Sequence, residues 1–157
     1  MKKIIITALS LNNVIGNGNK TPWHNKEELK YFKETTLEAV VLMGRKTYQA
    51  IGKALPNRIN LVVSKKINGN KNKKDLFDFQ SIEDAVKYAE TLEIEKLFII
   101  GGSEIYLQTI NEVDELLISR IPFDVEGDKY FPKIDSEIWK VKEIKKYESF
   151  TVEKYKR

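Results

Sequence analysis

The feature that most constrains this chain is a set of short runs with no polar side. Ile4 to Ile6 within Lys3–Leu9, then Ala39-Val40-Val41-Leu42-Met43, then Leu97-Phe98-Ile99-Ile100, are apolar without alternation. A strand with one face in water alternates apolar and polar residues, so a run with no polar face must be covered on both sides. The second and third runs stop at glycine, Gly44 and Gly101, and pass directly into helical patterns. Strand, glycine and helix, repeated, describe a parallel sheet with helices packed on it.

The rest of the chain extends this reading. Leu11 to Asn25 is a long loop rich in Asn and Gly, a length that often carries function. Asn25 is placed to cap a helix running to Thr35, with Leu29 and Phe32 on its inward face. Glu28 then sits at the edge of that face, and Glu27 points to water. Arg45 to Ile51 reads as a short helix, Gly52 to Asn57 as a turn, Ile59 to Val63 and Leu76 to Phe79 as strands. Ser81-Ile82-Glu83-Asp84 resembles a capping box and opens a helix with Ala85, Val86, Ala89 and Leu92 inward. The helix after Gly101-Gly102-Ser103 carries Ile105, Tyr106, Leu107 and Ile110. Leu116 to Ile121 is a strand, Pro122 to Pro132 a loop, and Trp139 to Arg157 a hairpin turning around Tyr147 to Phe150. Alternation first and strands alone afterwards predict one α/β domain over residues 1–157, mostly parallel, with antiparallel strands added at the end.

Composition narrows the function. The 157 residues contain no Cys and a single His. Thiol chemistry, disulfides, a His-cluster metal site and a Ser-His-Asp triad are therefore not expected. The net charge of +4 is mild, and the basic run from Lys65 to Lys74 lacks the aromatic residues that stack on bases, so a solvated loop is expected and nucleic acid is not. No apolar run is long enough to span a bilayer, and the Met-Lys-Lys start is interrupted at Asn12 and Asn13 before a cleavage site, so the cytoplasm is expected.

Four stretches carry chemistry. Glu28 lies at the lip of an apolar slot beside Trp23, which suits a proton-handling or amidine-binding carboxylate. Two acids in a first turn also simply complement the helix dipole, and both readings stand. Gly101-Gly102-Ser103 and Gly44-Arg45-Lys46-Thr47 each lead a strand into a helix whose first N–H groups can hold a phosphate. Ser64-Lys65 follows the third strand in the same way. Three such strand ends suit a ligand with several phosphates at one edge of a sheet.

Ala8-Leu9, Val14-Ile15-Gly16, Pro22-Trp23, the Glu28/Phe32 helix, Met43-Gly44-Arg45-Lys46-Thr47 and Leu55-Pro56-Asn57-Arg58 occur in this order. Ile100-Gly101-Gly102-Ser103-Glu104-Ile105-Tyr106 and Val125-Glu126-Gly127-Asp128-Lys129-Tyr130-Phe131-Pro132 follow. In order and spacing, over essentially the whole chain, these blocks resemble dihydrofolate reductase of the single-domain bacterial type. The resemblance implies a central sheet of eight strands, mostly parallel, with a C-terminal antiparallel hairpin and about four flanking helices. It implies NADPH as cofactor, dihydrofolate as substrate, antifolates as inhibitors, no metal and a monomer.

It also implies roles. Glu28 would hold the pterin 2-amino group and N3, orienting the ring and raising the proton affinity of N5, with water delivering the proton. Trp23 would help hold that water, and Ser119 would support the carboxylate contact. Ile6, Ala8, Leu29, Phe32, Ile51 and Ile100 would line the slot. Arg58 would pair with the carboxylate of the glutamate tail, near Lys33 and Lys53; from the residues alone it reads as a surface turn residue. Val14, Ile15, Gly16, Asn17, Gly18, Asn19 and Lys20 would form a loop closing over the nicotinamide, against Ala8 and Ile100. Gly44, Arg45, Lys46, Thr47, Ser64 and Lys65, with Gly101, Gly102, Ser103, Glu104, Ile105 and Tyr106, would hold the rest of the cofactor. Glu28 replaces an Asp frequent in bacterial members, Lys53 a frequent Arg, and Glu104 a basic or neutral residue. A related reductase acting on a pyrimidine or riboflavin precursor is the nearest alternative.

Overall fold

The three apolar runs become three neighbouring strands at the middle of one sheet. The computed structural model describes residues 1–66 and 73–157. The first half runs β1 (Lys2–Leu9), β2 (Val14–Gly16), α1 (Lys26–Thr36), β3 (Val40–Gly44), α2 (Arg45–Ile51), β4 (Ile59–Val63) and β5 (Leu76–Phe79). The second half runs α3 (Ile82–Glu90), β6 (Lys96–Gly101), α4 (Ser103–Thr109), β7 (Glu115–Arg120), β8 (Lys129–Tyr130), β9 (Lys140–Lys146) and β10 (Thr151–Lys156). The eight-stranded sheet has the order β5-β4-β3-β6-β1-β7-β10-β9. From β5 to β7 every pairing is parallel, and β10 joins β7 and β9 antiparallel.

Burial explains the run composition. Val40, Val41, Leu42 and Met43 are all fully buried, because helices cover both faces of β3. One core contains Ala85 and Ala89 of α3 with Ile105 and Tyr106 of α4. The core on the opposite face contains Ile6, Val41, Met43 and Phe98, with Tyr31 and Phe32 of α1 and Tyr48 of α2 packed on it. The caps form as expected: Asn25 Oδ1 accepts from Glu28 N at 3.0 Å, and Ser81 Oγ from Asp84 N at 3.0 Å.

Several expectations need correction. The stretches Leu11–Asn25 and Pro122–Pro132 are not plain loops, since β2 lies in one and β8 in the other, and the two pair antiparallel. Neither has enough residues to show a period, and each exists only through its partner. Gly127 lies where a Cβ would stand 2.3 Å from Val14 Cγ1 and 2.5 Å from the Gly16 carbonyl oxygen, so only glycine allows this approach. Leu29 is not on the inward face of α1 but is 54% exposed, and Leu107 of α4 is 66% exposed. The face of α1 that packs is instead that of Glu28, Tyr31, Phe32 and Thr36. Glu27 does not simply face water; its carboxylate accepts from Ser149 N and Oγ at 2.9 and 2.6 Å, in the β9–β10 turn. The middle of the Lys65–Lys74 run, residues 67–72, lies outside the described residues. Among the described residues no helix is long and apolar enough to cross a membrane.

Candidate active site

Glu28 is a carboxylate in the first turn of α1 with only 7% of its surface exposed. Asn25 fixes that turn by capping the Glu28 amide. Burial among apolar groups penalises the charged form and raises its pKa to about 7. The Ser119 hydroxyl, on β7, is near enough to draw the pKa partway back. Yet Ser119 Oγ is buried with no hydrogen-bond partner among the described residues. Among the described residues no hydrogen bond joins the two groups, which leaves both with hydrogen-bonding capacity for a third group.

Ile6, Ala8, Trp23, Phe32 and Ile100 all join the core on the α1 face. Ser119 pairs with Ala8 in the β1–β7 ladder, so the end of β1 lies directly beside the Ser119 position. Ile51 and Leu29, 37% and 54% exposed, are apolar side chains left open to solvent. Lys33 and Lys53 are exposed.

Arg58 is not a surface turn residue. It is 5% exposed, its Nε donates to the Pro56 carbonyl at 3.0 Å, and its Nη1 donates to Thr36 Oγ1 at 3.0 Å. A guanidinium has five donors in a rigid plane. No carboxylate pairs with it among the described residues, and burial lowers its pKa. Nothing in the sequence marks Thr36 as its holder; a Thr in the last turn of a helix has no pattern of its own.

The three phosphate-friendly strand ends come together because the sheet order is β4-β3-β6 and all three run parallel. Their C-terminal ends, at Ser64, Gly44 and Gly101, share one edge. Gly44 and Gly102 are the N-caps of α2 and α4, and neither supplies a side-chain cap, so the first amides of both helices are uncapped. The two turns also touch: a Cβ on Gly102 would stand 3.2 Å from Thr47 Oγ1, and one on Gly44 3.2 Å from Ile105 Cγ1. Gly101 has φ +131°, a backbone conformation that favours glycine, and its peptide bond to Gly102 is cis. Arg45 is half-buried, Lys46, Lys65 and Glu104 are exposed, and Ser103 is half-buried. Ile105 and Tyr106 are core residues, with the Tyr106 hydroxyl donating to the Ile6 carbonyl at 3.2 Å.

The segment from Val14 to Lys20 is tied to the β8 side. Asp128 N donates to the Gly16 carbonyl at 3.2 Å, Gly18 N donates to Asp128 Oδ1 at 2.9 Å, and Lys129 Nζ donates to the Gly18 carbonyl. Ile15 is half-buried, and Asn17, Gly18, Asn19 and Lys20 are exposed. His24 is exposed and takes no part in the slot.

The family profile described as dihydrofolate reductase matches residues 3–157. The chain is 36% identical to the dihydrofolate reductase of Mycoplasma genitalium, over 98% of this chain and 97% of that protein. It is 42% identical to dihydrofolate reductase type 1 of Escherichia coli, over 87% of this chain and 85% of that one. Among solved structures, dihydrofolate reductase from Enterococcus faecalis complexed with NADP(H) and RAB-propyl superposes with a TM-score of 0.86. That match has 30% identity and covers 99% of this chain and 96% of the other. The eight-stranded sheet, the paired glycine turns at its edge and these matches over nearly the full length agree: the chain belongs to the dihydrofolate reductase family.

Proposed function

We propose that this chain reduces 7,8-dihydrofolate to 5,6,7,8-tetrahydrofolate with NADPH. The observation that carries the reading is Glu28, a buried carboxylate with its pKa raised to about 7, facing a buried unpartnered Ser119 hydroxyl. A planar ring with an amidine-like edge satisfies both groups at once, its N–H groups donating to the carboxylate and to the hydroxyl oxygen. The residues at the sheet edge fit the cofactor: uncapped helix amides and close-approach glycines for its pyrophosphate, and Arg45, Ser64 and Lys65 for its 2′-phosphate. When bound, NADPH supplies the hydride that reduces the pterin N5–C6 bond.

The chain's own residues do the rest. Ionised Glu28 orients the pterin and favours protonation at N5, which water delivers. Trp23, in the same core as Ala8 and Phe32, helps hold that water. Leu29, Ile51 and Phe32 cover the rings, and Arg58 offers the remaining edge of its fork to the tail carboxylate. Val14 to Lys20 closes the nicotinamide side. Inhibitors bearing an amidine are bound by the same Glu28. We place the enzyme in the cytoplasm as a monomer that supplies one-carbon carriers. The deciding experiment follows NADPH oxidation optically with and without dihydrofolate. Oxidation that depends on dihydrofolate is expected, and its absence with purified, folded protein overturns the reading.

A further inference from the structure

Two buried polar side chains outside the slot, Thr36 and Asn60, converge on Arg58. Thr36 ends α1 and is 0% exposed. Its hydroxyl donates to the Phe32 carbonyl at 2.8 Å, so the hydrogen is committed to the helix and the oxygen is left to accept from Arg58 Nη1. Asn60, on β4, is also 0% exposed. Its Oδ1 accepts from Leu55 N at 2.8 Å. Its Nδ2 donates to the carbonyls of Leu55 and Arg58, each at 3.0 Å, and of Asp75 at 3.2 Å. One side chain thus pins both ends of the turn from Leu55 to Arg58. The Glu38 amide, just past α1, holds the middle of that turn by donating to the Asn57 carbonyl at 2.8 Å. Within the turn, the Pro56 carbonyl accepts from Arg58 Nε. A guanidinium is one rigid plane, so bonds at Nε and Nη1 to two fixed oxygens set its orientation. Its Nη2 makes no hydrogen bond among the described residues.

We infer that Thr36 and Asn60 are positioning residues for the substrate's tail: together they seat the Arg58 guanidinium, oriented for a carboxylate, before the substrate arrives. The inference rests on the dihydrofolate reading and on Arg58 as the tail's partner. A long cationic side chain loses rotamer freedom when a ligand orders it, and that loss is subtracted from affinity. Lys33 and Lys53 are exposed and would lose it on binding. Arg58 has already lost it on folding, held by its bonds to Pro56 and Thr36. A buried Thr and a buried Asn that serve the fold alone would affect every substrate alike. Residues that seat Arg58 affect only a substrate that carries the tail.

The test compares steady-state kcat and KM for 7,8-dihydrofolate and for 7,8-dihydropteroate, which has the same rings but ends at the benzoate, with no glutamate tail. The proteins are wild type, Thr36→Val, Thr36→Ser and Asn60→Asp, with folding checked by circular dichroism. Wild type is expected to show the lower KM for dihydrofolate. Thr36→Val keeps the volume and loses the acceptor; Asn60→Asp keeps the shape and the bond from Leu55 N but loses the amide donors. Both should raise KM for dihydrofolate about tenfold, the scale of one charge-assisted contact, with kcat little changed and KM for dihydropteroate unmoved. Thr36→Ser restores the hydroxyl and should restore KM. Equal changes for the two substrates, or an unchanged KM for dihydrofolate in Thr36→Val, overturn the positioning role alone. A wild type that reduces both substrates with the same KM overturns it together with the tail contact at Arg58. A wild type that reduces neither overturns the dihydrofolate reading beneath both.

Discussion

At the scale of single residues, Glu28 couples function to a stability cost. Its carboxyl titrates near pH 7 in the folded chain against an ordinary 4.5. Between those values the folded state holds a proton that the unfolded chain has released, so stability is full below the unfolded pKa and falls as pH rises toward 7. A shift of that size corresponds to about 3 kcal/mol lost by pH 8. Glu28→Gln removes the titration. We expect it to melt several degrees higher than wild type at pH 8, with little difference at pH 4, as measured by thermal denaturation. The same variant should lose more than tenfold in dihydrofolate turnover, because a charge-assisted contact of ~1.5–3 kcal/mol is gone. Activity within about threefold of wild type near pH 7 contradicts the proposed role. Arg58 is a second such residue. Arg58→Lys cannot keep the Pro56 and Thr36 bonds and also present a fork. Steady-state kinetics should show KM for dihydrofolate rising more than kcat falls, because a tail contact is made equally in ground and transition states. Unchanged KM and kcat place the tail contact elsewhere.

At the scale of elements, α1 is held at its start by a partner far along the chain. Glu27 accepts from Ser149 N and Oγ, and Asn25 Oδ1 also accepts from Ser149 Oγ at 3.1 Å. These hydrogen bonds hold the Glu27 pKa below its ordinary value. The contribution to stability is therefore present above the ordinary carboxylate range and is lost as pH falls through the lowered pKa. Amide exchange at Ser149 should accelerate in acid relative to the core strands, and Glu27→Ala should show that faster exchange already at neutral pH. Equal protection of Ser149 in wild type and variant contradicts the strap. The β2–β8 pair depends on Gly127 in a different way. Gly127→Ala drives a methyl into Val14 and into backbone at Gly16. Backbone cannot step aside as a flexible side chain does, so a loss of at least about 1–3 kcal/mol is expected by denaturant unfolding. An unchanged midpoint contradicts the close approach.

At the scale of the whole molecule, one parallel sheet brings two kinds of chemistry to one edge. The ends of β4, β3 and β6 carry Ser64, Gly44 and Gly101, proposed above for the cofactor's phosphates, and the ends of β1 and β7 carry Ala8 and Ser119, near Glu28. β6 and β1 are neighbours, so in the proposed reading cofactor and substrate would meet where the two regions join. The balance of charge predicts a preference for NADPH over NADH. Arg45 and Lys65, helped by Lys46, attract the dianionic 2′-phosphate, while Glu104 is exposed and can turn to solvent. The expected ratio in kcat/KM is roughly 10²-fold, shrinking as salt rises, and Arg45→Leu should remove most of it. Parallel assays with both cofactors check this; equal efficiency in wild type, or a full preference in Arg45→Leu, shows the phosphate pocket to lie elsewhere.

What the sequence alone determined was whatever leaves a local mark. Ala39 to Met43 and Leu97 to Ile100 are apolar on both faces, so they announce central strands before any partner is known. Asn25 and Ser81 announce helix starts because a cap acts within three residues of itself. The blocks around Trp23, Gly44, Arg58, Gly101 and Gly127 carry the family, and with it the proposed site. Tertiary structure decided what depends on distant partners. β2 and β8 are strands only because Val14 meets Tyr130 across the fold. Arg58 is held under cover by Thr36, 22 residues away, whose hydroxyl oxygen accepts a hydrogen bond from Nη1. Glu27 is bound rather than solvated because Ser149 lies beside it, 122 residues on. Periodicity reports which face of an element is apolar, but not which element covers it. For that reason helical spacing alone puts Leu29 inward, whereas the packed sheet leaves it open to solvent and turns Glu28 under cover.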